Sequence, residues 1–279
     1  MKRVLFLILI TNSLGSFGQS LEQTFGFANE LYQQKSYKNA VEAYKRVLYF
    51  DSSAVFSKQV FPRIADCLFN LKNYQESADH YDLAYFNTQD TVLKDSYVLK
   101  KIACFLILQQ YDYAEVELFN LSENLSENLK KDQAFNEAVL RFAKAEFDTS
   151  EKIFKTIVSD TAAVDLLFEK NKKVSKISPK KAKIMSMIVP GLGQLYVGDI
   201  KNGLNSFVLT AGLFTLGIRS ALINNPLDAA IATLPWFQRY YQGGYKKAEL
   251  IATAKIQEKR YKIYNQLLDE VEKGGELGK

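Results

Sequence analysis

The chain has 279 residues, a net charge of +5 and 24% charged residues. That balance excludes a disordered polyelectrolyte, and the length accommodates one or two folded domains. With one histidine and two cysteines, the sequence offers no metal-ligand cluster, no nucleophile–base pair and no cofactor motif, so no cofactor is expected and a non-enzymatic protein is.

At the N-terminus, Lys2 and Arg3 precede the apolar run from Val4 to Ile10, and Ser16-Phe17-Gly18 places small residues two apart. Charged, apolar and cleavable parts in that order predict a secretory signal over 1–19, cleaved near Gly18 or Gln19. The apolar run is shorter than the ~20 residues of an ordinary span. The mature chain is therefore expected outside the cytoplasm, periplasmic and membrane-associated, with no nucleic acid as partner.

Next comes a repeat. Tyr37-x-x-Ala40, Tyr74-x-x-Ser77, Tyr111-x-x-Ala114 and Phe147-x-x-Ser150 recur at steps of 37, 37 and 36, each followed four positions after the small residue by Tyr44, Tyr81, Leu118 or Phe154. A small side chain lets two helices approach at their crossing while the large ones fill the space beside it. The pattern predicts an all-α solenoid of about four helix pairs over 20–160, the first pair running from Leu21 to Gln34 and from Tyr37 to Phe50. In the fourth unit Arg141 stands where a large apolar residue belongs, which reads as a terminal unit. Cys67 and Cys104 occupy equivalent places in neighbouring repeats. Stacked helices put such positions ~10 Å apart, beyond the ~7 Å limit for a disulfide, so buried free thiols are expected.

The spacing and the small and apolar positions resemble the tetratricopeptide repeat, whose period is ~34 residues. That resemblance implies a concave groove lined by the first helix of each pair, for which the register selects Phe25, Asn29, Tyr32, Asp66, Phe69, Asn70, Leu106 and Phe142. Phe25, Leu99 and Phe135 occupy the places where the family's carboxylate-gripping members need Lys. The groove so read is aromatic and amide-lined, suited to a protein or an extended peptide; the alternative is that these side chains cover the next repeat.

From Lys170 to Lys183 the chain carries seven lysines, and 161–183 reads as a basic linker. Beyond it, 184–244 reads as a membrane-associated helical hairpin. Gly203 to Ile218, running on to Leu222, approaches a span, with Ser206, Thr210, Gly217 and Ala221 as a small-residue face. After Asn224-Asn225-Pro226, the second leg from Leu227 to Phe237 is interrupted by Asp228 and Pro235. Trp236, Tyr240 and Tyr241 stand where an interfacial belt would. The alternative is a hairpin of buried helices in a soluble domain.

The most specific local signal is Pro190-Gly191-Leu192-Gly193-Gln194-Leu195-Tyr196-x-Gly198. Together with Arg239-Tyr240-Tyr241-Gln242-Gly243-Gly244-Tyr245, it resembles a family of bacterial envelope proteins whose C-terminal domain has no assigned activity. It is also loosely similar to two-helix membrane domains with a Gly-x-x-Tyr-x-Gly entry. The resemblance implies a membrane hairpin and membrane lipid as a contact. Physically, Pro190 stops a helix, the glycines permit a turn at positive φ, and Gln194 and Tyr196 can satisfy backbone groups that the turn leaves open.

The segment 245–279 reads as a charged amphipathic helix and tail, with Ile251, Ala254, Tyr261, Tyr264, Leu268 and Val271 as its apolar stripe and Gly274-Gly275 as its stop. His80, beside Asp79 on a repeat helix, reads as solvated or capping. The sum is an envelope scaffold that binds a protein or peptide in its groove and is tethered by its hairpin, with a membrane assembly factor as the alternative.

Overall fold

The computed structural model describes residues 20–273; the expected signal segment, 1–19, and Gly274-Gly275 lie outside them. Regular structure among the described residues is helical throughout, and it falls into two compact units that meet in sequence at Ile157 and Val158.

The first unit runs α1 (Leu21–Gln33), α2 (Tyr37–Phe50), α3 (Ser57–Asn70), α4 (Tyr74–Phe86), α5 (Thr91–Ile107), α6 (Tyr111–Phe119), α7 (Glu127–Ala143) and α8 (Phe147–Ile157). Each helix packs on its chain neighbours, and α5 also meets α7. That is the one-dimensional stacking of a helical repeat array.

Its crossings follow one rule. Ala28 and Ala40, Ala65 and Ser77, Ile102 and Ala114, and Ala138 and Ser150 are all 0% exposed. Where the second member is Ser, its hydroxyl donates to the carbonyl of the first, 2.9 Å from Ser77 to Ala65 and 2.8 Å from Ser150 to Ala138. A buried hydroxyl is thus satisfied without widening the crossing.

The turn inside each pair repeats as well. Lys35, Lys72, Gln109 and Ala145 take left-handed φ of 57°, 64°, 59° and 63°. The next N–H closes on the carbonyl five residues back, Ser36 to Leu31, Asn73 to Leu68 and Gln110 to Phe105 at 2.9 Å and Glu146 to Arg141 at 2.8 Å, the Schellman closure of a helix end. Across three of these turns two rings meet edge-on, Tyr32 with Tyr37 at 6.0 Å and Phe69 with Tyr74 and Phe142 with Phe147 at 5.3 Å. In those three repeats the aromatic at the head of the second helix therefore staples the turn that precedes it.

Arg141 replaces an apolar residue without stranding its charge, because Glu115 of α6 pairs with it at 2.8 Å and Glu146 at 3.1 Å. Cys67 and Cys104 are buried free thiols. Desolvation pushes them up to about 12 and about 11 respectively.

The second unit comprises α9 (Thr161–Ser175), α10 (Pro179–Ile188), α11 (Leu192–Tyr196), α12 (Ile200–Ile223) and α13 (Pro226–Lys273). Its spine is α13, whose 48 residues extend ~70 Å; α9, α10, α11 and α12 all pack on it.

Three expectations change here. The basic linker is helical: α9 buries Val164, Leu167, Phe168, Asn171 and Val174, a stripe at helical spacing that the density of lysines conceals. The second hairpin leg and the C-terminal helix are one element, continuous through Pro235 and Gly243-Gly244. The packing of Ala229, Ala248 and Ala252, all 3% exposed or less, overrides breakers that cost ~1 kcal/mol for Gly and ~3 for Pro. The buried face of its C-terminal half is also rotated from the expected stripe. Ala252, Ile263, Leu267 and Val271 are buried, whereas Ala254 and Tyr261 face outward, because the small Ala248 and Ala252 let α10 approach.

Candidate functional site

The first unit opens a cleft of about 430 Å³ on the side of its first-in-pair helices. Tyr32 of α1, Arg63, Asp66, Phe69 and Asn70 of α3, and Lys100 and Ala103 of α5 line it, with Tyr81 behind. Three successive repeats thus contribute, as the repeat register requires of a concave face.

Asn29 and Asp66 are 37 residues apart and do the same work. Each side-chain oxygen accepts the hydroxyl of a tyrosine 15 positions on, Asn29 from Tyr44 at 2.7 Å and Asp66 from Tyr81 at 2.8 Å. In the third repeat the corresponding pair is Ala103 and Leu118, so the polar bridge disappears and Ala103 leaves room at the cleft floor. Burial raises the Tyr81 phenol well above its ordinary value, with the Asp66 carboxylate adding to the effect; it is a hydrogen-bond donor at every physiological pH.

Asp66 also receives Lys100 at 2.8 Å. Arg63 lies over the Tyr32 ring at 4.8 Å and forms no ion pair among the described residues. The cleft therefore holds two cations against one carboxylate already engaged, beside the rings of Tyr32 and Phe69. It suits an extended segment that brings a carboxylate and an apolar side chain.

Of the eight groove residues, Tyr32, Asp66, Phe69 and Asn70 line this cleft. Phe25 packs against Phe56 at 5.0 Å and Tyr44 at 6.2 Å, Leu106 packs on the core around Ile102, Phe142 is 8% exposed, and Asn29 serves Tyr44. Those four build the repeat. Arg63 and Lys100 were missed, although Arg63 and Lys100 are 37 apart and the period alone would have paired them.

The glycine motif of the second unit is a junction of helices. Val189, extended ahead of Pro190, caps α10, and Gly191 and Gly198 take φ of 91° and 85°. A side chain at Gly193 would stand 1.8 Å from the Ala182 carbonyl oxygen, and one at Gly191 2.1 Å from that of Gly203. The Gly193 N–H donates to the Ser186 hydroxyl, which donates to Gln194 Oε1, both at 2.8 Å. The Gln194 side chain thus serves α10 and α13 and not the backbone of the turn. Tyr196 reaches back to the Lys176 carbonyl, at 3.4 Å, at the end of α9.

Beyond this junction α12 and α13 form a hairpin. The small face packs as expected: Ser206 meets Gly244 and Gly217 meets Thr233, with hypothetical Cβ contacts of 2.5 and 3.0 Å. The outer face is apolar and open. Among the described residues α12 is the helix long and apolar enough to cross a membrane, 24 residues with 6% of its most apolar window buried, and Val208, Leu222, Ile223, Leu227 and Ile231 are each more than 60% exposed. Trp236 is half exposed, and the Tyr241 hydroxyl donates to the Met187 carbonyl at 2.7 Å.

His80 receives a local contact, Nδ1 to the Glu76 carbonyl at 2.8 Å. Among the described residues no three His, Cys, Asp or Glu side chains converge as a metal set. No protein-family model matches this chain, nor does any curated protein or solved structure.

Proposed function

We propose that the chain is a non-enzymatic envelope scaffold of the tetratricopeptide type. Its first unit captures a protein or an extended peptide in the cleft between α1, α3 and α5, and its second holds the chain at a membrane through the α12–α13 hairpin. The periplasmic address rests on the N-terminal sequence. What carries the reading is the cleft itself: the rings of Tyr32 and Phe69, the Asn70 amide and the cations Arg63 and Lys100, drawn from three repeats around an Asp66 carboxylate that is engaged by Tyr81 and Lys100. A ligand that offers a carboxylate to Arg63 and Lys100 and an apolar side chain to Phe69 uses both cations and one of the rings.

The test is a photoreactive residue at Ala103 in intact cells, with Tyr49, which is 82% exposed, as the site outside the cleft. Crosslinking of one partner from 103, abolished by Arg63→Glu, supports capture. Equal yield from 49, or indifference to Arg63→Glu, defeats it.

A second reading has its own observation. The open apolar face of α12 could carry the function, as in a membrane assembly factor positioned by its repeats. Truncation after Ser159, just past the first unit, separates the two: a soluble remnant that retains the partner belongs to the first reading, and one that loses it to the second.

A further inference from the structure

At the base of the hairpin α12 and α13 enclose a second cleft, about 370 Å³ in volume. We propose that it holds the phosphodiester of an anionic membrane phospholipid, whose acyl chain runs from there along the hairpin. The proposal rests on the membrane reading above and adds a specific lipid site to it.

The carrying feature is a stripe on α13. Arg239, Gly243 and Lys247 follow at four-residue intervals, so they share one helix face, and all three line the cleft. The order is cation, gap, cation. A side chain at Gly243 would meet nothing within 4 Å, so the absent Cβ leaves open space between two positive groups. No carboxylate pairs with either cation among the described residues: Arg239 lies 6.0 Å over the Trp236 ring, and Lys247 donates to Asn202 Oδ1 at 2.8 Å. Asp199, whose charge reaches Lys247 without pairing directly with it, is occupied by the Asn202 N–H at 3.0 Å and side-chain amide at 2.7 Å. Asn205 and Tyr240 add polar groups at the wall. Ser206, 9% exposed, presents a buried hydroxyl with no partner among the described residues.

The surroundings select a lipid over a free anion. Leu209 lines the cleft, and Leu213 and Leu216 follow it at helical spacing on the same face of α12. Trp236 stands one turn beyond Tyr240 on α13. An acyl chain therefore finds an apolar track that begins where the phosphate is held. Two cations with no carboxylate in direct contact, of which only Lys247 feels a nearby acid, Asp199, are costly beside an exposed apolar helix near hydrocarbon, and a phosphodiester, which arginine grips bidentately, removes that cost.

The experiment uses the full chain. Purified protein is exposed to phosphatidylglycerol or phosphatidylcholine in mild detergent, and retained lipid is measured by native mass spectrometry. In parallel, quenching of Trp236, the sole tryptophan, by brominated lipid in vesicles reports insertion. Phosphatidylglycerol is expected to be retained over phosphatidylcholine, and Arg239→Gln with Lys247→Gln to weaken it about tenfold. Gly243→Leu plugs the gap while raising helix propensity; it should lose the lipid equally and still insert. Lys246→Gln, off the stripe, should change nothing. Retention unchanged in Gly243→Leu, or weakened equally by Lys246→Gln, overturns the site while leaving the tether intact. Displacement of the lipid by inorganic phosphate also overturns it, as a site for the free anion. Absence of quenching in the wild-type protein defeats the membrane reading itself.

Discussion

Gln194 and Gly244, 50 residues apart, are joined by a hydrogen bond: Gln194 Nε2 donates to the Gly244 carbonyl at 2.9 Å. The other end of the same amide accepts from Ser186, so a fully buried side chain ties α10, α11 and α13 together. Gly244 can accept because a carbonyl has two lone pairs, and because it has no side chain, Ser206 of α12 packs directly on it. The motif around Gln194 is thus the hub on which the hairpin is mounted.

Gln194→Leu keeps the volume and removes both bonds, which leaves the Ser186 hydroxyl buried without its acceptor. The expected cost is about 1–3 kcal/mol. Trp236 lies in the second unit and both cysteines lie in the first, so Trp236 fluorescence during denaturant unfolding reads this unit by itself. A midpoint equal to that of the wild type would show that the hub carries no stability.

Two glycines of one motif should respond in opposite proportion to their spacing in the turn. Gly198→Ala meets open space but retains a φ of 85°, a strain of roughly 1–2 kcal/mol. Gly193→Ala drives a methyl into the Ala182 carbonyl and should abolish the folded second unit. Expression with protease resistance, read as the survival of α13 in limited digestion, ranks them. Equal resistance would mean that α11 can move away from α10 at little cost.

The left-handed turns of the first unit carry a stability reserve. Ala145→Gly relieves a φ of 63° at an exposed site, and should stabilise by about 1 kcal/mol, raising the first unit's melting temperature by roughly 2–4 °C. Ala114→Leu, at a crossing with 0% exposure, should go the other way by ~1–3 kcal/mol. The rate at which Cys67 and Cys104 become labelled reports both. An unchanged rate for Ala114→Leu would remove the crossing alignment from the third repeat.

These responses show which parts of the fold the sequence carries openly. Crossings repeat because each needs a small residue on its second helix, three places after an aromatic at the helix head, and a step of 37 or 36 residues makes that visible. The cleft was only half legible. Tyr32 and Phe69 follow from register, but whether a ring that staples its own turn also lines a groove, as these two do and Phe142 does not, depends on neighbours 37 residues away. Arg63 and Lys100 look like ordinary surface cations until Asp66 and Ala103 place them in one cleft. In the second unit the lysines of α9 hid its apolar stripe, and Pro235 and Gly243 are local breakers whose penalty is offset by packing the sequence does not display.

Alkaline pH should weaken the first unit before it affects the second. Burial raises the Cys67 thiol from 9.0 to about 12 and the Cys104 thiol from 9.0 to about 11, and it raises the Tyr44 and Tyr81 phenols too. A group whose folded value is raised contributes stability in full below its unfolded value and loses it as pH rises towards the folded one. Stability should therefore be flat to about pH 8 and fall between pH 9 and 11, as unfolded thiols ionise and folded ones do not. Cys67→Ala with Cys104→Ala should flatten the thiol part of that slope. A slope unchanged by the double substitution would assign the loss to the tyrosines.

For the proposed membrane hairpin, two rules stand against each other. On the reading proposed above, a cleaved signal would put the first unit outside the cytoplasm, and a hairpin would return α13 to the side it left. Yet lysines such as Lys180, Lys181, Lys201, Lys246 and Lys247 flank its base, and lysine clusters normally stay cytoplasmic. The contact of Gly217 with Thr233 and of Ser206 with Gly244 fixes an antiparallel register in which both legs end together, so the base lysines share one side and meet anionic head groups at roughly 1 kcal/mol each. Asp228, Pro226 and Pro235 weaken the second leg as a span. Both ends are therefore expected in the periplasm, with the hairpin inserted from that face. Ser150 is fully buried and cannot serve as a labelling site, but Asp112, whose side chain is 98% exposed, and Lys273, 70% exposed, can. Single cysteines there, in a background lacking Cys67 and Cys104, should both react with a membrane-impermeant thiol reagent once the outer membrane is opened. Reaction at 112 without reaction at 273 would establish a single span with a cytoplasmic C-terminal helix and sink the hairpin arrangement.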